Sequence, residues 1–156
     1  MHETSLIDLG NYNDAYPRMA GLAEDWLARY PSIQMVLDVH RDSLETDDGT
    51  QLALRADVDG EACAKLLLVM GSNGSGLEHP GWRQNLANAA RLQALCEQRA
   101  PGLMRDLLLR ASRYNQHLTP RSMLLEVGTA GNSLEEALRS ADIFSQVLAD
   151  CLLGKA

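Results

Sequence analysis

The chain has 156 residues, with 14 basic against 21 acidic side chains and a net charge of −7. That length suits a single domain over residues 1–156 with a core of its own. The acidic balance argues against unspecific nucleic-acid binding, which needs basic surface.

No apolar run reaches the roughly eighteen residues of a membrane span. Met1 to Ser5 shows no basic segment followed by an apolar core, so no signal peptide is expected. Cys63, Cys96 and Cys151 are odd in number and far apart, which fits small buried apolar residues rather than a disulfide framework.

In chain order, residues 1–13 are polar and turn-rich and read as a loop. Met19, Leu22, Ala23, Trp26, Leu27 and Tyr30 follow helical spacing. Pro17 suits the first turn, and Tyr30-Pro31 stops the helix. Met35 to Val39 then reads as a buried strand that ends in His40, Arg41 and Asp42. Such a strand delivers polar side chains to the carboxyl edge of a sheet, where open α/β sheets bind ligands.

Glu45 to Thr50 is polar, with Asp47-Asp48-Gly49 as a turn. Gln51 to Asp57 alternates weakly, as an edge strand would. Ala62 to Met70 is apolar without alternation and reads as a second buried strand. Gly71 to Gly76 is a flexible loop that lacks the pattern of a phosphate cradle. Pro80 opens a helix to about Arg99, with Leu86, Ala89, Leu92 and Cys96 on one face and Ala100-Pro101-Gly102 as its stop. His79, just before that start, is expected to be exposed. Leu107 to Leu109 is a short strand, Tyr114 to Pro120 a polar loop, and Met123 to Val127 a strand with one acid in its middle. Ser133 to Glu136 forms a capping box that starts the last helix. Strands alternating with helices predict an α/β fold with a mostly parallel sheet covered on both faces.

Two residues stand out chemically. His40 ends a strand and is a candidate zinc ligand, with Asp38 on the same face to orient its ring. A histidine hydrogen-bonded at a strand end is the plainer reading. Glu126 sits inside Leu-Leu-Glu-Val-Gly, where a carboxylate is costly unless paired or functional. It is either a general base raised by burial or an acid paired with an arginine such as Arg41. Arg41 and Asp42 flank the site as substrate contacts or as a structural ion pair. Asn115, Gln116 and His117 form a polar cluster for a substrate groove or a capped turn. Ser43, Ser72 and Ser122 lack the context of a nucleophile elbow.

Asp38-Val39-His40-Arg41-Asp42-Ser43 resembles a signature of the stage II sporulation protein P family. The resemblance continues through His79 to Leu86, Pro101 to Arg105, Arg113 to Leu118, Leu125 to Thr129 and Asn132 to Ala137. It implies a twisted sheet flanked by helices, similar to zinc-dependent cell-wall amidases. It also implies hydrolysis of the amide between N-acetylmuramic acid and L-alanine of peptidoglycan, with Zn2+ as cofactor. By position, His40 is then a metal ligand and Glu126 the catalytic acid/base, with Arg41 and Asn115 contacting substrate. Peptidoglycan, and a sporulation lytic transglycosylase as a further partner, follow from the same resemblance, as does an extracytoplasmic, membrane-associated setting.

One departure matters. The family pattern has an earlier strand that supplies another histidine and an acidic ligand, and this sequence is expected to lack it. His2, Glu3 or His117 are the residues that could substitute. A non-catalytic wall- or partner-binding module on the same fold is the alternative function. An exposed sheet edge, and with it a homo-oligomer, is a further expectation.

Overall fold

The computed structural model describes residues 2–5, 11 and 14–155. Of the loop read at residues 1–13, positions 1, 6–10, 12 and 13 lie outside the described residues.

Helix α1 spans Ala15–Arg29, and the backbone N–H of Tyr30 donates to Trp26 before Pro31 ends the helix. The strands are β1 (Leu37–Asp42), β2 (Arg55–Val58), β3 (Glu61–Ala64) and β4 (Leu66–Gly71). Helix α2 (Trp82–Arg99) is followed by β5 (Leu108–Arg110), a 3-10 turn (Gln116–Leu118) and β6 (Met123–Thr129). Helix α3 (Leu134–Leu152) begins at the expected capping box, where Ser133 accepts from the Glu136 N–H and Glu136 accepts from the Ser133 N–H.

The main sheet has the order β1-β6-β4-β5 and is mixed. β1 is parallel to β6 and β4 to β5, but β4 runs against β6. The reason lies in the connections. A parallel neighbour needs a crossover element. Helix α2 supplies one between β4 and β5, whereas β5 reaches β6 through a loop with one short 3-10 turn, and the chain reverses.

Two strands differ from expectation. The run Ala62–Met70 is broken at Lys65 into β3 and β4. Its first part pairs with β2 in a separate antiparallel hairpin. The hairpin turn is Asp59-Gly60, both residues having positive φ (55° and 83°), as a tight two-residue turn requires. β1 was expected to be buried and is instead an edge strand. β6 pairs with one side of it, and no described residue pairs with the other. Val39 is 61% exposed.

The sheet has two unequal faces. One carries Leu66, Leu68, Met70, Met123, Leu125 and Val127 and is packed by Ala89, Leu92 and Cys96 of α2 and Phe144 and Val147 of α3. Burial there pushes the Cys96 thiol up to about 12, so it behaves as a small apolar residue. The opposite face has a smaller cluster of Leu67, Val69 and Leu124, flanked by Leu108 and Tyr114. Tyr16 of α1 lies against Tyr114 with ring centroids 5.8 Å apart. Glu126 alternates with Leu125 and Val127 and so shares the thinly covered face with Leu124.

Candidate functional site

The parallel register of β1 and β6 sets His40 beside Glu126 and Asp38 beside Leu124. In a parallel ladder, register partners point to the same face. Asp38, His40 and Glu126 therefore meet on the less covered face, near the carboxyl ends of both strands. The ladder slips between His40 and Asp42, so that Asp42 comes level with Thr129. Such an irregularity re-aims a side chain. Asp42 thereby accepts from Arg105 Nη1 at 2.6 Å.

His40 Nε2 lies 3.1 Å from Asp38 Oδ1. The Asp38 hydrogen bond raises the proton affinity of the ring above its ordinary value, against the opposing pull of burial. Glu126 is less well satisfied. Its Oε2 is buried and has no hydrogen-bond partner among the described residues. Burial raises its pKa above the usual carboxylate range, with His40 and Arg105 pulling down and Asp42 and Asp38 pushing up. Burial is the largest of these causes, so Glu126 is a group held ready to take a proton.

Arg41 is not the partner of Glu126. Its Nε donates to Thr129 O at 2.8 Å, and its Nη2 donates to the carbonyls of Ala130 and Asn132. The guanidinium thus clamps the turn from β6 into α3. Asn132 completes that turn by accepting from the Thr129 N–H at 2.9 Å and donating to Leu54 O and Glu136.

Asn115 lies elsewhere. It has a positive φ of 57°, and its Nδ2 donates to Tyr16 O at 2.8 Å, tying α1 to the 3-10 turn. The neighbouring Gln116 side chain bonds Gly71 N and Val69 O, at the far end of β4. The register of β4 against β6 puts that end away from Glu126. His117 is at the same far end, facing His79 with ring centroids 6.5 Å apart. His79 was expected to be exposed and is 2% exposed. Burial lowers the proton affinity of both rings; His117 and then Arg113 add to this at His79, and Arg113 does so at His117.

The possible substitute ligands do not join His40. His2 is exposed. Glu3 accepts from Trp26 Nε1 at 2.9 Å and from Ser5, which lower its pKa to about 2. Among the described residues, no group of three or more His, Cys, Asp or Glu side chains is placed to hold a metal ion. A closed or catalytic zinc site takes at least three protein ligands. The described residues of one chain therefore do not by themselves supply the three ligands that such a site needs.

A family model described as stage II sporulation protein P matches residues 1–149. The chain belongs to the stage II sporulation protein P family. It is 33% identical over 149 residues to the stage II sporulation protein P of Bacillus subtilis (strain 168). That match covers 90% of this chain and 35% of the relative, so the chain spans about a third of the relative's length. No solved structure matches. Among the described residues, no helix is long and apolar enough to cross a membrane.

Sequence reasoning singled out His40, Asp38, Asp42 and Glu126, which this family member brings together. It missed Arg105. The signals for it were its place at the end of the family-like segment Pro101 to Arg105 and its position before the strand at Leu108. A cleft of 620 Å³ lined by Leu27, Ile33, Gln84, Asn88, Pro120 and Arg121 carries no imidazole or carboxylate. It is not the chemical site.

Proposed function

We propose that this chain serves peptidoglycan remodelling in sporulation, and that its chemistry is hydrolysis of the amide between N-acetylmuramic acid and L-alanine. The observation that carries the reading is Glu126: a carboxylate with a buried, unpartnered oxygen beside His40. Leaving an acceptor in that state costs about 1–3 kcal/mol. Sites that perform proton transfer tolerate such costs because they hold the pKa near working pH.

In this reading Glu126 takes the proton of the attacking water and returns it to the leaving amine of L-alanine. His40, oriented by Asp38, lies next to the carboxylate and offers an imidazole to the same centre. His40 and Arg105 favour the ionised form of Glu126, while Asp42, held by Arg105, pushes the other way. Zinc is the cofactor that the family resemblance implies. The described side chains around His40 do not supply the three ligands it would need. Arg41 acts on substrate indirectly, by fixing the Thr129–Asn132 turn. Asn115 would touch only a substrate long enough to reach the other end of the sheet. Cooperation with a lytic transglycosylase and work outside the cytoplasmic membrane belong to the same proposal.

The test is release of stem peptide from purified peptidoglycan. The expected result is release by the wild type, loss of about 10²-fold or more in Glu126→Gln, and similar loss in His40→Asn. Full activity in Glu126→Gln would overturn the assignment. The second reading, a non-catalytic wall-binding module, is favoured by the incomplete ligand set. It predicts binding to cell-wall sacculi with no release, unchanged by Glu126→Gln.

A further inference from the structure

The 620 Å³ cleft lies at the amino ends of β1 and β6, away from Glu126, and a smaller cleft of 150 Å³ adjoins it. Asn88 and Arg121 line both and join them into one groove. Arg91 and Arg121 are among the lining residues, and no Asp or Glu is. In a chain of 21 acidic and 14 basic side chains this is a local reversal of sign. Exposed charges farther off than about 8 Å are largely screened at physiological salt, so the local sign decides what the groove attracts.

Arg121 forms no ion pair with a described residue. Its Nη1 donates to Gln34 Oε1 at 3.2 Å. That bond leaves the rest of the planar guanidinium fork, the donor set that pairs with a carboxylate through two parallel bonds. The Gln34 amide nitrogen is a further donor beside it. Gln84 and Asn88 add carboxamides, which can bond peptide groups as donor or acceptor, and Leu27, Ile33 and Leu118 add partly buried apolar surface.

The wall of the groove is built in advance. Asn85 Nδ2 donates to the Gln116 and Thr119 carbonyls at 2.7 and 3.2 Å, and Asn88 Nδ2 donates to Pro120 O at 3.0 Å. The Thr119 and Ser122 hydroxyls bond each other at 2.8 Å. The segment that carries Arg121 is thus fixed to α2 before a ligand arrives, which lowers the cost of binding one.

The spacing to Glu126 selects the ligand. Arg121 lies five positions before Glu126, and a strand rise of about 3.3 Å per residue makes the separation about 16 Å. A fully extended peptide of about five residues spans about 16–18 Å. The stem peptide of peptidoglycan is a short peptide of this kind, with alanine methyls along it and a free carboxylate at the end remote from N-acetylmuramic acid. With its L-alanine amide at Glu126, that carboxylate comes within reach of Arg121.

We infer that this groove binds the free carboxylate end of the peptidoglycan stem peptide, with Arg121 as its ion-pair partner. The inference rests on the amidase reading above for the identity of the peptide.

The test is titration of the full chain with a synthetic stem pentapeptide up to about 1 mM, followed through backbone amide resonances. The expected result is shifts at Gln34, Asn88 and Arg121, and binding weaker by about tenfold or more for the same peptide with a terminal amide. Arg121→Gln should lose the same factor with thermal unfolding unchanged, since Arg121 is exposed. Added salt should weaken the binding of the acid. No shifts in the groove, equal binding of acid and amide, binding unaltered by Arg121→Gln, or tighter binding of a glycerol-phosphate polymer than of the peptide would each overturn the proposal. Digestion of purified peptidoglycan separates it from the amidase reading. There Arg121→Gln should raise KM and leave kcat nearly unchanged. Peptide binding through Arg121 without any release from peptidoglycan would overturn the amidase reading and leave the groove standing. Release with the same KM in Arg121→Gln would do the reverse.

Discussion

Replacing Glu126 by Gln should make the protein more stable at neutral pH. The carboxylate has a buried oxygen without a partner, and burial holds its pKa above the usual value of 4.5. In the folded state it therefore binds its proton more tightly than in the unfolded state. Stability falls as pH rises from about 4.5 through the folded pKa, because the unfolded chain releases its proton first. A neutral amide has no such loss. An uncompensated buried acceptor costs about 1–3 kcal/mol. His40 and Arg105 recover part of that for the charged form. A net gain of about 1 kcal/mol for Gln at pH 7.5 follows, or about 2–4 °C in midpoint for a domain of this size. Thermal unfolding by circular dichroism at pH 7.5 and pH 4 measures it. The gain should shrink at pH 4, where wild-type Glu126 is protonated in both states. A destabilised Gln variant at pH 7.5, or a gain equal at both pH values, would refute this account of the site.

Other perturbations probe the same framework. Asp38→Asn should lower the His40 pKa, read from imidazole proton shifts, because the Asp38 hydrogen bond is the main cause of its rise. A raised histidine pKa stabilises below about 6.5 and is lost as pH climbs through the folded value, so Asp38→Asn should cost more at pH 6 than at pH 9. Arg105→Met leaves the half-buried Asp42 unpaired and should destabilise by about 1–3 kcal/mol. It should also push Glu126 further up, visible as a carboxyl resonance that titrates later. Gly131→Ala would place a Cβ 2.6 Å from the Leu52 backbone carbon. Backbone cannot yield there, so a loss of about 3 kcal/mol or more in denaturant unfolding is expected. Ser133→Ala removes one arm of the capping box and should cost about 1 kcal/mol by the same measurement.

Much of the fold was legible in the chain. Helical spacing placed α1 and α2, and the capping box fixed the start of α3 to the residue. The direction of the sheet was not legible in the same way. Apolar runs such as Leu66 to Met70 show that a strand is buried on both faces, and parallel strands usually are. Direction is set by whether a helix crosses between strands, and only α2 does so. Asp59-Gly60 is a hairpin turn pair between residues that can pair, a signal that the reading of Ala62 to Met70 as one strand leaves out. Burial of β1 was overread for a related reason. Val36, Leu37 and Val39 look like core in sequence, but a strand with one neighbour has an open side whatever its composition.

The site shows the opposite pattern, since its members were visible and their roles were not. Glu126 was marked by an acid within an apolar strand. The two explanations for it, a base or an ion pair with Arg41, could not be separated until β6 and its surroundings were placed. Arg41 turns to the carbonyls of Thr129, Ala130 and Asn132, while Arg105, distant in sequence, comes to Asp42. Swapping the expected arginine for an unexpected one leaves the Glu126 oxygen bare. His79 and His117 carry the converse lesson. Two histidines in motif-like segments invite a ligand role, yet both are desolvated beside Arg113, which disfavours any cation there. A histidine becomes a metal candidate through the charge around it. By that criterion His40, with Asp38 at its ring and Glu126 at its side, is the one of these three imidazoles whose surroundings favour positive charge.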